Sequence, residues 1–384
     1  MYDIIIVGAG PAGSTLAHKL AVLGFSVLII EKQAWPRFKP CAGGITKRCY
    51  NRIATDISKV VEDTTYSMVL TLHHRIGAEI TATSPLIYQV DRKKFDAVLS
   101  DIAVKSGAEF HVREKFLDFE HHEGYISVKT EKDSYMCRVL VGADGVNSTV
   151  ARKAGFTKFK VGTALEAEVR PKSHTIEDLK GKIHIDFGTI KAGYGWNFPK
   201  KDSLSIGVGT FRNMAKDIRD SLHHMLDSEE INNNDEVHVY GHPLAFPHGE
   251  KRRYNKGNIL LVGDAAGLAD PFTGEGIYYA VWSASIASEV ISGWFNGKGN
   301  LDAYTKRINK EIRPEIRSAY ELSVFCYHFF PFVMLNLKNF PVIFSYFADV
   351  ITGHDDFRYW QVKVPSCMFG IRKPQSKVDI KYIK

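Results

Sequence analysis

Short apolar runs that stop abruptly at a glycine recur along the chain. Three of them, rich in branched aliphatic residues, occupy residues 2–7, 138–141 and 258–262. This pattern is typical of strands that are buried on both faces of a parallel sheet. Ligands of open α/β sheets bind at the carboxyl ends of such strands. We therefore expect the turns at Gly8, Gly142 and Gly263 to meet around one ligand.

Between these runs the spacing of apolar residues changes to that of helices and of half-exposed sheets. Helical spacing predicts helices over 14–23, 91–107, 213–226 and 277–291, and a short apolar run predicts a further strand over 26–30. Alternation predicts a hairpin over 110–130 and several short antiparallel strands over 163–209. The segment 35–46 is rich in proline and glycine, so we expect a functional loop there.

The first turn has the glycine spacing of a dinucleotide-binding motif. Gly8 allows a tight turn, Gly10 lets the backbone approach a pyrophosphate, and Gly13 lets the next helix sit close to the strand. The helix N-terminus faces the anion, and Glu31 can accept hydrogen bonds from a ribose. A glycine-rich turn without a ligand is the alternative, but strand, glycines, helix and acid stand in the expected order. The expected contacts are Gly8, Gly10, Pro11, Ala12, Gly13 and Glu31.

Two later turns carry further polar residues. The turn at Asp144, which runs on to Ser148, is as well explained by a helix cap as by a ligand site. In the third turn, Asp264 can bind a hydroxyl of a ribityl chain, and the following helix N-terminus can face a reduced, anionic flavin ring. An elaborate loop without a ligand is the alternative. The expected contacts in these turns are Asp144, Gly145, Gly263, Asp264, Gly274, Gly276 and Ile277.

Composition narrows the class of protein. The net charge of +7 comes with abundant acidic residues and without a basic run, so a nucleic-acid partner is not expected. The five cysteines are scattered, and neither they nor the histidines have the spacing of a zinc or iron–sulfur site, so no metal is expected. The N-terminus lacks a secretion signal, which predicts a cytoplasmic protein with reduced cysteines.

Residues 322–348 form the most apolar and aromatic stretch of the chain. Pro331, Lys338 and Pro341 interrupt it, so we do not expect it to span a membrane. Its rings predict either peripheral contact with a membrane or the cap of a substrate channel. They belong to Phe325, Phe329, Phe330, Phe332, Phe340, Phe344 and Phe347.

Taken together, the three turns resemble those of the glutathione-reductase-type FAD superfamily, in the branch of aromatic hydroxylases and geranylgeranyl reductases. The resemblance extends from residue 1 to about residue 293 and includes Arg152 as well as Arg92 and Asp96 on a predicted helix. Pro-Cys-Ala-Gly-Gly at 40–44 resembles a loop of geranylgeranyl reductases, with Ala42 where that family has glycine. Tyr-Gly-Trp-Asn-Phe-Pro at 194–199 resembles their prenyl-channel motif.

The resemblance implies an α/β fold: a Rossmann-type FAD-binding domain with an inserted antiparallel-sheet substrate domain and a helical C-terminal region. The expected domains are 1–50, 86–155 and 253–300 for FAD, 51–85 and 156–252 for substrate, and 301–384 for the C-terminal region. The resemblance also implies FAD contacts from Lys32, Arg37, Cys41, Ala42, Gly43 and Arg92.

An aromatic wall is the candidate substrate surface. Tyr194, Trp196 and Phe198 alternate along a predicted strand, so they share one face. Such a wall suits a long apolar substrate, although an ordinary sheet core gives the same pattern. The expected substrate contacts are Tyr194, Trp196, Phe198 and Pro199, and the expected catalytic residues are Cys41, Tyr194 and Trp196. In the alternative interpretation Cys41 is merely a small buried residue.

The leading hypothesis is an FAD-dependent reductase that hydrogenates carbon–carbon double bonds of an isoprenoid lipid. Cys41, Tyr194 and an ordered water are all open as the proton source. The alternatives are a flavin monooxygenase or halogenase acting on an aromatic or apolar small molecule, and a lipid or flavin carrier. Residues 207–209 lie in a strand pattern and do not form a second dinucleotide motif. We therefore expect the electron donor to be transiently bound NAD(P)H, a ferredoxin or a quinol.

Overall fold

The computed structural model describes residues 1–53, 55–157, 159–172, 176–211, 217–231, 235–247, 252–335, 341–368 and 370–383, with backbone alone over 328–335. Its strands are β1 (Tyr2–Val7), β2 (Val27–Ile30), β3 (Gly44–Thr46), β4 (Val61–Thr65), β5 (Ser67–Leu72), β6 (Ile76–Ala82), β7 (Ile87–Val90), β8 (Glu109–His111), β9 (Phe116–His122), β10 (Tyr125–Thr130), β11 (Ser134–Gly142), β12 (Lys160–Arg170), β13 (Lys182–Phe187), β14 (Gly193–Pro199), β15 (Leu204–Thr210), β16 (Glu236–Phe246), β17 (Asn255–Lys256), β18 (Ile259–Leu261) and β19 (Val378–Ile383). Its α-helices are α1 (Pro11–Val22), α2 (Lys47–Arg52), α3 (Arg92–Lys105), α4 (Thr149–Lys153), α5 (Ile218–Ser228), α6 (Ile277–Phe295), α7 (Asp302–Arg307), α8 (Arg313–Leu335), α9 (Pro341–Thr352) and α10 (Trp360–Met368).

The first large sheet brings the three glycine turns together, as the sequence predicted. Its strand order is β17-β18-β11-β1-β2-β8, with β18, β11, β1, β2 and β8 running parallel. Val7 at the end of β1 pairs with Gly142 on β11, and Gly142 pairs with Leu261 on β18. The carboxyl ends of these three neighbouring strands therefore meet at one edge of the sheet.

Helices pack against the buried strands of the first large sheet. Helix α1 contacts both α3 and α6, and all three isoleucines of β1 are fully buried. The helix begins at Pro11, earlier than predicted, because proline suits the first helical position, where no backbone N–H is needed. The predicted hairpin begins at Phe116; residues 109–111 instead form β8, a parallel edge strand beside β2.

The second large sheet has the order β16-β12-β15-β14-β13-β5-β6-β19. Most of its strand pairs are antiparallel, as predicted. The exception is the parallel pair of β5 and β13, which no hairpin joins because β6 to β12 lie between them in the chain. The C-terminal region is helical through α10, as expected, and then adds β19 to the edge strand β6. That final strand was not predicted; its alternation of exposed and half-buried residues is weak because it lies at a sheet edge.

Helices α8, α9 and α10 come after the strands of the first large sheet in the sequence, and α8 and α9 contact the second large sheet. Helix α8 contacts β5 and β6, and α9 contacts α2, α10 and β19. Among the helices of the described residues, none combines the length and the apolar character that crossing a bilayer requires. Side chains from these helices instead close one side of an internal cavity.

Candidate functional site

A cavity of about 670 Å³ lies between the two large sheets. Its first part, which we call the turn end, is lined by the turns that follow β1, β11 and β18. Its other part, which we call the apolar end, is lined by side chains of the second sheet and of the C-terminal helices. The turn end includes Gly8, Gly10, Asp144, Asp264 and Gly276, and the apolar end includes Leu70, Ile185, Trp196, Leu322, Phe347 and Trp360.

Close backbone approaches explain the glycines of the first turn. Gly8 has φ of +105°, and a Cβ there would lie 2.4 Å from the Ala143 carbonyl oxygen. A Cβ on Gly13 would lie 2.0 Å from the Gly8 carbonyl oxygen. Gly10 differs, because a Cβ there would meet only the Arg37 guanidinium, at 3.5 Å. Gly8 and Gly13 are thus required by packing, whereas Gly10 keeps open the space where a pyrophosphate would approach the helix N-terminus.

Two arginines and one carboxylate form a buried charged cluster beside this turn. Arg92 makes two 2.9 Å hydrogen bonds to the Asp96 carboxylate, which Arg37 Nη2 also contacts at 3.0 Å. The other terminal nitrogen of Arg37, Nη1, is buried and has no hydrogen-bond partner among the described residues. An unpartnered buried guanidinium nitrogen beside an open glycine turn fits a phosphate group.

Cys41 lies next to this cluster. The Arg92 guanidinium lies beside its sulfur, and the backbone N–H of Gly43 donates to that sulfur at 3.4 Å. Burial alone would lower the pKa of Arg92, but the Asp96 carboxylate and the Cys41 sulfur raise it above its usual value. Cys41 therefore lies in the cavity lining beside a guanidinium that stays positively charged.

The three acidic residues predicted for the site differ in their partners. Glu31 accepts hydrogen bonds from the backbone N–H groups of Ala9 and Gln33, at 3.1 and 3.0 Å, and still lines the cavity. Asp144 accepts from Ser148 Oγ at 2.5 Å and from two backbone N–H groups that open α4, so the helix-cap interpretation describes its protein contacts. Asp264 lines the cavity; its backbone carbonyl accepts from Gly267 N, and its carboxylate can accept a hydrogen bond from a ligand hydroxyl.

Buried hydrogen bonds and ion pairs hold the loop that precedes α6 in place. Asp270 is fully buried and accepts hydrogen bonds from Phe272 N and Thr273 Oγ1, both at 2.7 Å; burial raises its pKa to about 6. Arg48 binds the Glu275 carboxylate and lies 2.6 Å from Glu315 on α8. These contacts fix the N-terminus of α6, a 19-residue helix whose first backbone N–H groups point toward the cavity.

The aromatic wall has the predicted orientation. Tyr194, Trp196 and Phe198 all line the cavity, and the Tyr194 hydroxyl donates to the Thr273 carbonyl oxygen. The Trp196 indole lies flat against the neighbouring strand, where a Cβ on Gly207 would be 2.1 Å from its Cζ2. Gly207 therefore supplies the room for the indole, which explains a glycine that the sequence left without a role.

Side chains from the C-terminal helices complete the apolar end. Phe325, Phe344 and Phe347 line it, and Phe344 is almost fully buried. For these three rings the contacts match the channel-cap interpretation of the aromatic stretch. The side chains of Phe329, Phe330 and Phe332, and all of Phe340, lie outside the described residues.

Most of the predicted site residues line this one cavity, and three do not. Gly13 and Gly263 pack elements against one another, since a Cβ on Gly263 would lie 3.0 Å from that of Ala12. Pro199 is buried at the end of β14, where it pairs with Leu204, away from the cavity. The cavity is lined by the remaining predicted residues, namely Gly8, Gly10, Pro11, Ala12, Glu31, Lys32, Arg37, Cys41, Ala42, Gly43, Arg92, Asp144, Gly145, Tyr194, Trp196, Phe198, Asp264, Gly274, Gly276 and Ile277.

Lys39, Glu166 and His242 are among the polar cavity residues that sequence reasoning missed. Lys39 Nζ lies 2.8 Å from His242 Nε2, and both residues line the cavity near Asp264. Glu166, on β12, is buried, lines the cavity, and accepts a 2.8 Å hydrogen bond from Ser205 Oγ. Burial raises the pKa of Glu166. None of the three belongs to a motif; a buried charge inside a strand pattern was the available signal for Glu166.

Comparison with known sequences agrees with this geometry. Residues 1–185 match a family model described as an FAD binding domain. The chain is 36% identical to an uncharacterised protein of Methanosarcina barkeri, over 90% of this chain and 87% of that protein. It is 30% identical to digeranylgeranylglycerophospholipid reductase 2 of Methanothermobacter thermautotrophicus (81% and 84% covered) and to geranylgeranyl diphosphate reductase of Rhodobacter capsulatus (75% and 74%).

Solved structures show the same fold. A geranylgeranyl bacteriochlorophyll reductase-like protein of Thermoplasma acidophilum has a TM-score of 0.73 at 21% identity, covering 84% of this chain and 86% of that one. A flavin-dependent brominase has a TM-score of 0.76 at 20% identity, covering 96% and 98%. Both solved structures show the fold alone, whereas the named reductases are similar to this chain in sequence. The chain belongs to the geranylgeranyl reductase family of FAD-dependent oxidoreductases.

Proposed function

We propose that the protein is an FAD-dependent reductase that hydrogenates carbon–carbon double bonds of an isoprenoid lipid chain. The observation that carries the proposal is the continuity of the cavity. The turn end, which fits a dinucleotide, opens directly into an apolar end walled by Trp196 and by rings of the C-terminal helices. A long hydrocarbon chain fits such a space, because its burial releases water from apolar surface on both sides.

The turn end holds FAD in this proposal. Gly10 and the N-terminus of α1 receive the pyrophosphate, and the unpartnered Nη1 of Arg37 donates to one of its oxygens. Glu31 accepts from the ribose, and Asp264 accepts from the ribityl chain. The N-terminus of α6 then faces the ring system, where its partial positive charge stabilises an anionic reduced flavin.

Bound reduced FAD supplies the hydride, and the chain supplies the positioning and the proton. We assign the proton to the Cys41 thiol, because Cys41 lines the cavity and its sulfur lies beside the Arg92 guanidinium. The Tyr194 hydroxyl is less suited to this role, because burial raises its pKa and its proton is already donated to the Thr273 carbonyl oxygen. Trp196 holds the chain flat beside the reacting ring and excludes water.

The substrate class rests on the relatives. The archaeal relative is named as a reductase of digeranylgeranylglycerophospholipid and the bacterial one as a reductase of geranylgeranyl diphosphate, which supports a C20-type isoprenoid chain here. We further propose that residues 1–50, 86–155 and 253–300 form a discontinuous FAD-binding domain, and that the electron donor is transiently bound NAD(P)H, a ferredoxin or a quinol. Peripheral membrane contact through the C-terminal helices would let the lipid enter the apolar end.

Oxygen use tests the proposal against the monooxygenase and halogenase alternative. Chemically reduced enzyme is given a geranylgeranyl lipid in air while dissolved oxygen is recorded. A reductase transfers its hydride to the alkene, so the lipid should lower oxygen consumption by competing for reduced flavin. Oxygen consumption that rises when the lipid binds, with an oxygenated product, would overturn the proposal.

A further inference from the structure

A second polar cluster lies on the face of the second sheet that points away from the cavity. On β13, Ile183 and Ile185 line the cavity, so the alternating residues His184 and Asp186 face the opposite side. His74, in the turn between β5 and β6, reaches the same place. His184 and Asp186 share one strand, but His74 is 112 residues from Asp186 in the chain, which is why sequence spacing predicted no metal site.

The three side chains are close enough to share one ion. One ligand atom from each of His74, His184 and Asp186 lies within 4.8 Å of the others, and His74 Nε2 is 3.6 Å from Asp186 Oδ2. Two ligands about 2.1 Å from a tetrahedral metal are roughly 3.4 Å apart, so this pair already has nearly the required separation. Asp186 is fully buried; its Oδ1 accepts hydrogen bonds from Thr71 Oγ1 and His74 N, and its Oδ2 accepts from the Thr189 backbone N–H and hydroxyl. An ion at Oδ2 would take the place of the Thr189 hydroxyl, and a carboxylate beside two imidazoles is a donor set suited to Zn²⁺ or a similar first-row ion.

The surroundings orient His184 as a ligand. Its Nδ1 lies 2.5 Å from the Glu229 carboxylate, which also accepts a 2.6 Å hydrogen bond from Asn197 Nδ2. A carboxylate in this position orients the ring so that Nε2 is the atom available to a metal. That Nε2 now lies 2.7 Å from Thr71 Oγ1, which donates its own proton to Asp186 Oδ1, and a metal ion at Nε2 would displace this contact.

The backbone holds His74 in an unfavourable conformation. His73 and His74 are the central residues of a tight turn closed by a 3.2 Å hydrogen bond from Arg75 N to the Leu72 carbonyl oxygen, and their φ values are +54° and +55°. Asparagine and glycine are the residues favoured at such positions. This turn directs the His74 imidazole into the cluster, where its Nε2 lies 3.1 Å from Thr189 Oγ1 and 3.6 Å from Asp186 Oδ2.

We propose that His74, His184 and Asp186 bind a divalent transition metal of the Zn²⁺ class, which ties the β5–β6 turn to β13. Asp186 and Glu229 balance the charge of the ion. Water or His224, whose ring centre is 5.7 Å from that of His74, completes the coordination. The site is structural, and it is independent of the prenyl reductase proposal because its residues lie outside the cavity.

Zinc titration of the full-length, tag-free protein, saturated with FAD and first treated with a chelator, tests the site. We expect stoichiometric binding of Zn²⁺ by calorimetry, a rise in Tm, and X-ray absorption that shows nitrogen and oxygen ligands at about 2.0–2.1 Å without sulfur. His74→Asn removes the imidazole but suits the positive φ, so it should abolish binding while leaving the zinc-free Tm equal or higher. His184→Gln should also abolish binding.

His223→Ala is the matched control, since His223 is an exposed histidine on α5 next to the cluster. It should bind Zn²⁺ as the unaltered protein does. The proposal is overturned if the unaltered protein binds no Zn²⁺, or if His74→Asn and His184→Gln bind it with unchanged affinity. The prenyl reductase proposal survives either result, because flavin content and lipid reduction are measured separately.

Discussion

At the turn end of the cavity the backbone makes the surface, whereas at the apolar end side chains from distant elements make it. Around Gly8 and Gly13 an added Cβ would lie within 2.4 Å of a carbonyl oxygen. Around Trp196 and Phe347 the surface consists of large rings contributed by a sheet and by the C-terminal helices. A backbone-built surface is damaged by added atoms, and a ring-built surface is damaged by their removal.

The two ends of the cavity should therefore respond differently to substitution. The turn end must keep space open for a cofactor, and the apolar end must keep large side chains that bury a lipid. We therefore expect additions at the turn end to affect cofactor content, and truncations at the apolar end to affect lipid turnover.

The largest effect is expected from Gly10→Leu. Gly10 has φ of −71°, which any residue adopts, so the substitution introduces no backbone strain. Its side chain would occupy the pyrophosphate position, and FAD affinity should fall by at least about 100-fold, or about 3 kcal/mol. Flavin absorbance of the purified protein measures this, with Gly10→Ala as the milder member of the series. Normal flavin content in Gly10→Leu would contradict the assignment of the first turn.

Trp196→Ala should produce the next largest effect. Trp196 is 8% exposed, and removing a buried indole costs about 3 kcal/mol of unfolding free energy. Lipid reduction should fall about 10-fold or more while FAD content stays near normal, because other elements hold the cofactor. Turnover and flavin are measured in one preparation, and Trp196→Phe should recover part of the turnover. If Trp196→Ala loses both FAD and its folded structure, Trp196 belongs to the general hydrophobic core and is not a substrate contact.

Two glycines beside that ring offer a matched pair. Gly207→Ala places a Cβ 2.1 Å from the Trp196 ring and 2.6 Å from the Leu165 carbonyl oxygen, so it should cost about 1–3 kcal/mol. At Gly209 the nearest atom would be 3.5 Å away, and Gly209→Ala should change stability by less than about 0.5 kcal/mol. Urea denaturation of both variants measures the change in the free energy of unfolding. Equal changes would mean that the Trp196 indole does not lie against Gly207.

The turn end could be predicted from the sequence because its signals are local. Strand β1, the turn from Gly8 to Gly13 and helix α1 are contiguous, and propensity, glycine spacing and burial agree there. Lys39, His242 and Glu166 meet only through tertiary packing and carry no motif, so they were missed. Strand β19 was not predicted, because an edge strand buries few side chains and therefore has a weak hydrophobic pattern. Pro199 was predicted to contact substrate only because it belongs to the motif at 194–199, and it pairs with Leu204 outside the cavity lining.

The smallest predicted effect concerns the loss of folding stability at acidic pH. Burial and the nearby Lys39 lower the pKa of His242 from 6.5 to about 4, so between these values the unfolded chain binds a proton that the folded one does not. His242 therefore contributes a loss of stability as pH falls from about 6.5 to 4. His242→Gln should reduce the difference between urea midpoints at pH 7 and pH 5, whereas His223→Gln, at an exposed position, should not. An unchanged difference in His242→Gln would contradict the burial of a neutral imidazole.

Anaerobic single turnover tests the central claim, that flavin and isoprenoid chain occupy the two ends of one cavity, most directly. Reduced holoenzyme is mixed with a geranylgeranyl lipid in the absence of oxygen, and flavin absorbance and lipid mass are followed together. We predict that the flavin reoxidises only when the lipid is added, and that each equivalent of flavin adds two hydrogen atoms to the lipid. Flavin that stays reduced beside an unchanged lipid would contradict the account.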